Sequence, residues 1–109
     1  MQVVIMPEVI EYFDNLVDVL FENNYFGFAE DAIEYVDELR HQIKTTLPTK
    51  LHKPAPKYFD RYGKGMKYAG FRKNKQTTWY VFFKTYIQDG KIIYVVRYIA
   101  NNHVIAQYL

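Results

Sequence analysis

Basic and aromatic side chains are interleaved between Lys50 and Lys75, and this stretch carries the side chains best suited to chemistry. Nine lysines and arginines stand there against one acid, Asp60. Cations hold phosphates and aromatic rings stack on nucleobases, so the pattern indicates contact with nucleic acid. The alternative is a solvated basic loop that leads into a strand, with the aromatic residues in the core. Those aromatic residues are Tyr58, Phe59, Tyr62, Tyr68 and Phe71.

The charges of the chain divide between its two halves. Residues 1–49 contain ten acids and two bases, whereas residues 50–109 contain twelve bases and two acids, although the net charge is only +2. Such asymmetry predicts that one side of the molecule contacts a polyanion and that the other side repels it. Attraction between the two halves is a compatible explanation.

Several kinds of site are excluded by residues that the sequence lacks. The chain has no cysteine and no serine, so it has neither a disulfide nor a Ser or Cys nucleophile. His41 and His52 lack partners at metal-ligand spacing, and Gly63 and Gly65 do not form a glycine-rich phosphate loop. No metal and no cofactor are expected. The lack of a long apolar run and of a basic leader predicts a cytoplasmic protein without membrane contact.

The first half of the chain predicts a strand and two helices within one domain that spans residues 1–109. Residues 2–6 are an apolar run typical of a strand, and Pro7 suits the first turn of a helix. Apolar residues at helical spacing predict helices over 8–23 and 28–47, joined at Asn23-Asn24 and Gly27 as an antiparallel hairpin. Residues 49–64 contain two prolines and are expected to form an irregular, basic loop.

The second half predicts an antiparallel meander of three strands over residues 66–73, 77–87 and 91–99. Asp89-Gly90 is the signal for a type I′ hairpin turn. The order β-α-α-β-β-β predicts an α+β fold in which the helical hairpin packs on an antiparallel sheet, with the first strand at the sheet edge. Strand 77–87 is apolar on both faces, so a loop, a second copy or a partner should cover the face opposite the helices. The two predicted faces carry Trp79, Val81 and Phe83, and Tyr80, Phe82 and Tyr86.

Nearly the whole chain resembles the RelE/ParE toxin superfamily. The resemblance rests on the opening strand followed by PEVIEYFDNL, on LRHQIKTTLP at the end of the second helix, on the basic segment, and on the closing TTWYVFFKTYIQDGKIIYVVRYIANNH. It implies a small bacterial toxin of a type II toxin–antitoxin system, neutralised by a co-encoded antitoxin. Some members cleave mRNA in the ribosome, others poison DNA gyrase, and some have no established activity.

The resemblance also implies roles for single residues in metal-independent RNA cleavage. A base deprotonates the ribose 2′-OH, cations stabilise the phosphorane, and an acid protonates the leaving oxygen. By position, Lys50, Lys53 and Lys57 resemble the family's lysine group, with Lys53 taken as catalytic, and Arg72 resembles its arginine on the first meander strand. His103 and Tyr108 resemble its C-terminal acid/base group. The remaining expected contacts to nucleic acid are Lys50, Lys57, Arg61, Lys64, Lys67, Lys73 and Lys75.

Each of these residues has a structural alternative. His103 can be a turn residue bonded to the backbone, Tyr108 can serve in packing alone, and Arg72 can pair with an acid across the sheet. Nucleolytic members carry an arginine just after the last strand, where this chain has Asn101-Asn102, and Arg97 lies inside the strand instead. Three functions therefore stay open: RNA binding in the ribosome with or without cleavage, gyrase poisoning, and non-catalytic binding of nucleic acid or antitoxin.

The pattern also predicts the partner surface. An antitoxin tail is expected to be amphipathic, acidic and disordered when free, and to fold as it binds. Its apolar residues are expected to cover side chains such as Tyr80 and Phe82, and its acids to lie beside Arg72 and Lys73, which are expected to be exposed. Target and antitoxin would then compete for the same cations. The assembly is expected to be a homodimer or a toxin–antitoxin hetero-oligomer.

Overall fold

The computed structural model describes residues 2–23 and 26–109. In these residues the chain has an α+β fold, in which two long helices pack against a five-stranded sheet with the strand order β1-β5-β4-β3-β2. The strands are β1 (Gln2–Ile5), β2 (Lys53–Pro54), β3 (Lys67–Arg72), β4 (Thr78–Gln88) and β5 (Lys91–Asn101). The helices are α1 (Pro7–Glu22), α2 (Ala29–Thr46) and the single turn α3 (Asn102–Ile105). Short 3-10 helices cover Leu47–Thr49, Lys57–Tyr62 and Ala106–Tyr108.

The sheet is mixed, so the expectation of an antiparallel sheet is wrong for one of its strands. β1 lies at the predicted edge but runs parallel to β5, with Gln2 opposite Ile93 and Ile5 opposite Val96. A parallel pair needs a long connection, and the helical hairpin and the meander between β1 and β5 provide one. The other three strand pairs are antiparallel.

The segment expected to be an irregular loop is ordered. It contains β2, which pairs Lys53 with Tyr68 and Pro54 with Lys67, and the 3-10 helix Lys57–Tyr62. Proline is compatible with both, because an edge strand can spare one N–H donor and a helix start leaves its first N–H groups unpaired. The predicted break between the long helices includes Asn24, which lies outside the described residues.

The turn between β4 and β5 is as predicted. Asp89 and Gly90 both have positive φ angles, of 52° and 75°. A type I′ turn requires positive φ at both central residues, and its twist matches that of the flanking strands. This turn fixes the register of the longest hairpin in the molecule, from Gln88–Lys91 to Trp79–Asn101.

The sheet buries apolar residues on both faces, as the pattern of β4 predicts. On the helix face, Trp79, Val81 and Phe83 pack with side chains of α1 and α2 such as Phe13 and Leu39. On the opposite face, here called the loop face, a second core forms from Phe59, Met66, Phe82, Ala100 and Ile105. The cover predicted for this face is therefore supplied by the chain itself, through the 3-10 helix Lys57–Tyr62 and α3.

Across residues 2–23 and 26–109, no helix combines the length and the apolar character needed to cross a membrane.

Candidate nucleic-acid interface

A groove of about 590 Å³ opens on the loop face beside β3, and we call it the basic groove. It brings together three of the bases expected to contact nucleic acid, Lys50, Lys53 and Arg72, and no acid lines it. Two tyrosines from adjacent strands, Tyr68 and Tyr80, form its aromatic walls. The full lining is Lys50, Leu51, Lys53, Tyr68, Ala69, Gly70, Arg72, Thr78, Tyr80 and Leu109.

Gly70 forms the floor of the basic groove. It lies in β3 opposite Tyr80, and a Cβ at this position would meet Thr78 Cγ2 at 3.3 Å and Tyr80 Cε1 at 3.4 Å. Side chains of alternate residues share one face of a strand, so Tyr68 and Arg72 flank Gly70 on the loop face. The missing side chain at position 70 therefore lets Thr78 and Tyr80 approach the backbone closely between them.

The cations of the groove are held in place without ion pairs. Lys50 Nζ lies 4.8 Å from the centre of the Phe71 ring, and Arg72 Nε donates to the Asn74 carbonyl oxygen at 3.1 Å. Arg72 is therefore bonded to its own turn and not to an acid across the sheet. Its remaining N–H groups stay available to a ligand, because a guanidinium has five donors in a planar fork.

Lys73 is not exposed, and this part of the prediction is wrong. Its Nζ lies 3.6 Å from Glu38 Oε2 and 5.0 Å from the centre of the Tyr35 ring, and its side chain is 9% exposed. Side chains alternate between the faces of a strand, and the residue that follows Arg72 turns to the helix face. There the acidic surface of α2 attracts it, as the opposite charges of the two halves allow.

The other expected contacts are spread over the surface. Lys57, Lys64, Lys67 and Lys75 are each exposed, and none of them lines the basic groove. Arg61 is exposed as well, but its guanidinium lies 3.8 Å from the centre of the Tyr58 ring and its Nε donates to the Tyr58 carbonyl oxygen. The structure thus gathers three of the expected bases and leaves these five outside the groove.

Tyr108 is stacked on Tyr58. The two rings are nearly parallel, with centroids 3.7 Å apart. Arg61 also lies against Tyr58, and two groups cannot stack at such distances on one side of a ring, so the Tyr58 ring lies between Arg61 and Tyr108. Tyr108 has a packing role in this stack, although its chain neighbour Leu109 reaches the basic groove.

His103 lies in a different pocket from the three groove cations. Its Nε2 is 3.2 Å from Thr77 Oγ1, and its backbone N–H donates to Asn101 Oδ1 at 2.9 Å. The pocket that it lines has a volume of about 530 Å³ and is walled by Tyr12, Tyr35 and Trp79. His103 therefore lines a different pocket from Lys53 and Arg72, although Asn74, whose carbonyl oxygen accepts from Arg72, also lines the pocket of His103. The backbone bond of His103 fits the turn-residue alternative.

The two asparagines after β5 hold the end of the sheet together. Asn101 Oδ1 caps α3 through the backbone N–H of His103. Asn102 Oδ1 accepts from the backbone N–H of Thr78 at 2.9 Å, and Asn102 Nδ2 donates to the Gln76 carbonyl oxygen at 3.0 Å. These bonds give Asn101 and Asn102 structural roles. They stand at the place where the nucleolytic toxins that the sequence resembles carry an arginine.

Sequence reasoning missed the residues that shape the groove. Gly70 was not among the expected site residues, and neither was Leu51, which is 77% exposed at the groove rim. Tyr80 was expected only as a contact of the antitoxin tail, together with Phe82, which is instead fully buried. A glycine inside a strand is a signal of close backbone approach or of a bulge, so Gly70 was open to detection. Leu51 gave no such signal.

No family model, no curated protein and no solved structure matches this chain. Its function therefore has to be argued from its own residues.

Proposed function

We propose that this chain is the toxin of a type II toxin–antitoxin system, of RelE/ParE type, and that it binds RNA in the ribosome through the basic groove. The observation that supports this function is the convergence of Lys50, Lys53 and Arg72 around one groove that no acid lines. The order of a strand, a helical hairpin and a sheet also agrees with what the resemblance implies.

The groove suits a single-stranded polyanion. Lys50, Lys53 and Arg72 supply positive charge along the edge of β3, where phosphates would lie. Tyr68 and Tyr80 supply ring surfaces on which a nucleobase would stack from outside, because the two rings already contact each other edge to face with centroids 5.9 Å apart. A volume of about 590 Å³ lies within the range of sites that hold a small ligand or one unit of a longer one.

RNA cleavage in this groove would depend on few residues. Lys53 and Arg72 would stabilise the charge of the phosphorane, as cations do in such transition states. His103 lines another pocket, so we assign it no part in proton transfer. Tyr108 would have to leave its stack on Tyr58 to act as the acid. We therefore propose RNA binding as the main activity of the groove and RNA cleavage as an additional one.

The proposed antitoxin would use the same groove. β2 covers β3 only at Lys67 and Tyr68, so in the described residues no strand pairs with the outer edge of β3 at Gly70 and Arg72. The Ala55 N–H donates to the Met66 carbonyl oxygen, and backbone groups alternate in direction along a strand, so those of Gly70 also point outward. An extended acidic tail would bond to this edge while its carboxylates occupy the phosphate positions.

Expression in a bacterial host tests the function. Wild-type chain should arrest growth, and the paired substitution Lys53→Gln and Arg72→Gln should relieve the arrest without unfolding the protein.

Purified wild-type chain should bind single-stranded RNA, and its affinity should fall as salt rises. Mapping of mRNA ends after induction tests whether the chain also cleaves mRNA, since cleavage predicts new ends in phase with codons. Full toxicity of the paired variant would refute the groove as the site of action.

DNA gyrase poisoning is the second candidate. It is favoured by Asn101 and Asn102, whose side chains are committed to structural hydrogen bonds where nucleolytic members carry an arginine. An assay for trapped gyrase–DNA cleavage complexes separates the two functions. Trapped complexes together with intact translation would support this second candidate and exclude the first.

A further inference from the structure

Arg97 sits at a β-bulge that directs its side chain onto the loop face. Phe82 pairs with Tyr98 and Phe83 pairs with Val96, so Arg97 is the extra residue of β5. Its Nη2 donates to the Tyr86 hydroxyl oxygen at 3.0 Å. Its Cδ lies 3.4 Å from the place of a Cβ on Gly63, the residue after the 3-10 helix. Bulges commonly re-aim a side chain next to a functional site.

The guanidinium of Arg97 is poorly satisfied. Its Nε is enclosed and has no hydrogen-bond partner, whereas Nη1 has no partner and is not enclosed. The ion pairs among residues 2–23 and 26–109 are Arg40–Asp14 and Lys73–Glu38, and neither involves Arg97. A partly buried cation with a single hydroxyl partner carries a desolvation cost that an anion would offset.

The surroundings of Arg97 supply further hydrogen-bond donors. Lys84 is paired with Val95, the preceding loop-face residue of β5, so Lys84 lies diagonally across from Arg97. The Tyr86 hydroxyl accepts from Arg97, and its own proton is therefore free to be donated. Asp60 and Asp89 are the two acids of residues 50–109, and neither forms an ion pair with another residue of 2–23 or 26–109.

We propose that Arg97, Lys84 and Tyr86 form a phosphate-binding site, separate from the basic groove. Arg97 would bind two oxygens of one phosphate through Nη1 and the second N–H of Nη2, since Nε is enclosed; Lys84 would add a point charge, and the Tyr86 hydroxyl would donate to a third oxygen. None of the three lines the basic groove. The phosphate is either a free ion or a backbone phosphate of a nucleic acid that extends beyond the groove.

Titration of the whole chain with inorganic phosphate and with a short single-stranded RNA tests the site. Backbone amide NMR signals of residues 84, 86 and 97 should shift with inorganic phosphate. Arg97→Met should weaken phosphate binding by about 10-fold or more, because a charge-assisted hydrogen bond is lost. Tyr86→Phe should weaken it by about 10-fold, since it removes one hydrogen bond to the charged phosphate.

Matched variants distinguish binding at this site from a general effect of positive charge on phosphate affinity. Lys91→Gln removes one charge near the Asp89-Gly90 turn and should leave phosphate affinity unchanged, whereas Lys84→Gln should lower it. If Arg97→Met fails to fold, Tyr86→Phe and Lys84→Gln provide the test, because Tyr86 is exposed and Lys84 is only partly buried. Absence of phosphate binding to the wild-type chain, or equal weakening by Lys91→Gln and Arg97→Met, would overturn the proposal.

Titration with RNA distinguishes a free phosphate ion from a nucleic-acid phosphate. It also allows this site to be tested independently of the proposed function of the basic groove. If Arg97→Met weakens both ligands, the site takes a nucleic-acid phosphate. If it weakens inorganic phosphate alone, the site takes a free ion. The paired variant Lys53→Gln and Arg72→Gln should keep the phosphate response of residues 84, 86 and 97 even if it abolishes RNA binding.

Discussion

The ring of Phe59 stacks on the ring of Phe82 with centroids 4.4 Å apart, and both side chains are fully buried. Phe59 belongs to the 3-10 helix Lys57–Tyr62, and Phe82 lies at the centre of β4. This contact ties the basic segment to the sheet. Because β2 lies between the 3-10 helix and α2, the contact also helps to hold Lys50 and Lys53 beside Arg72.

Phe59→Ala should destabilise the fold by about 3–5 kcal/mol, the usual cost of removing a buried aromatic ring. Urea unfolding measures this change. Leu51→Ala is the control, because Leu51 is 77% exposed and its loss should change the unfolding free energy by less than about 0.5 kcal/mol. A cost for Phe59→Ala as small as that of Leu51→Ala would mean that the segment is not anchored through this stack.

Gly70→Val should close the basic groove without unfolding the chain. Its new side chain would project between Tyr68 and Arg72 and press on Thr78 and Tyr80. Valine favours strands, which offsets part of this crowding, so we expect the unfolding free energy to fall by about 1–3 kcal/mol while the chain stays folded. RNA affinity should fall by about 10-fold or more, measured by fluorescence anisotropy, because each unstacked base costs about 1–3 kcal/mol.

Thr85→Val is the matched control for Gly70→Val. Position 85 is an exposed site on β4 outside the groove, and the substitution should leave RNA affinity as it is. Unchanged RNA affinity of a folded Gly70→Val chain would show that the nucleic acid lies elsewhere.

Lys73→Glu should act on stability, whereas Arg72→Glu should act on binding. Reversal at Lys73 removes the contacts to Glu38 and Tyr35 and places two acids together, so we expect a loss of about 1 kcal/mol. Arg72 is exposed and has no acidic partner, so Arg72→Glu should leave the melting temperature nearly unchanged and weaken RNA binding. If Lys73→Glu instead weakened RNA binding and Arg72→Glu lowered stability, the two side chains could not lie on the faces of the sheet where the structure places them.

Asn102→Ala should destabilise the chain by about 1–3 kcal/mol, because two backbone groups of the β3–β4 connection lose their partners. Thermal unfolding gives the measurement. Asn102→Arg, which introduces the arginine of nucleolytic members, should be at least as destabilising and should not create RNA cleavage. New cleavage products from Asn102→Arg would show that the chain tolerates the loss of both Asn102 hydrogen bonds and gains activity from the arginine.

Alkaline pH should weaken the fold through Tyr98. Burial raises the pKa of Tyr98 above its ordinary value of 10.0, and the neighbouring Tyr62 hydroxyl adds to the rise. Above pH 10 the unfolded chain loses this proton while the folded chain keeps it, so the unfolding free energy falls as pH increases. Tyr98→Phe should flatten this fall in urea titrations between pH 9 and about 11, and Tyr62→Phe should flatten it less. A slope unchanged in Tyr98→Phe would exclude this residue as the cause.

The sequence by itself determined most of the secondary structure. Helical spacing of apolar residues located α1 and α2, and Asp89-Gly90 located the β4–β5 hairpin, because these signals are local and each needs only a few neighbouring residues. The two apolar faces of β4 also followed from its alternation. β2 was missed, since two residues with a proline carry no periodic signal.

Only the tertiary structure decided which bases act together. Arg72 and Lys73 are adjacent in the sequence, yet one lines the basic groove and the other pairs with Glu38 on the opposite face. The direction of a side chain depends on strand register, and in β5 a bulge at Arg97 changes that register by one residue. His103 lies apart from Lys53 for the same kind of reason: their distance is set by the packing of strands and turns far apart in the sequence, which no local pattern encodes.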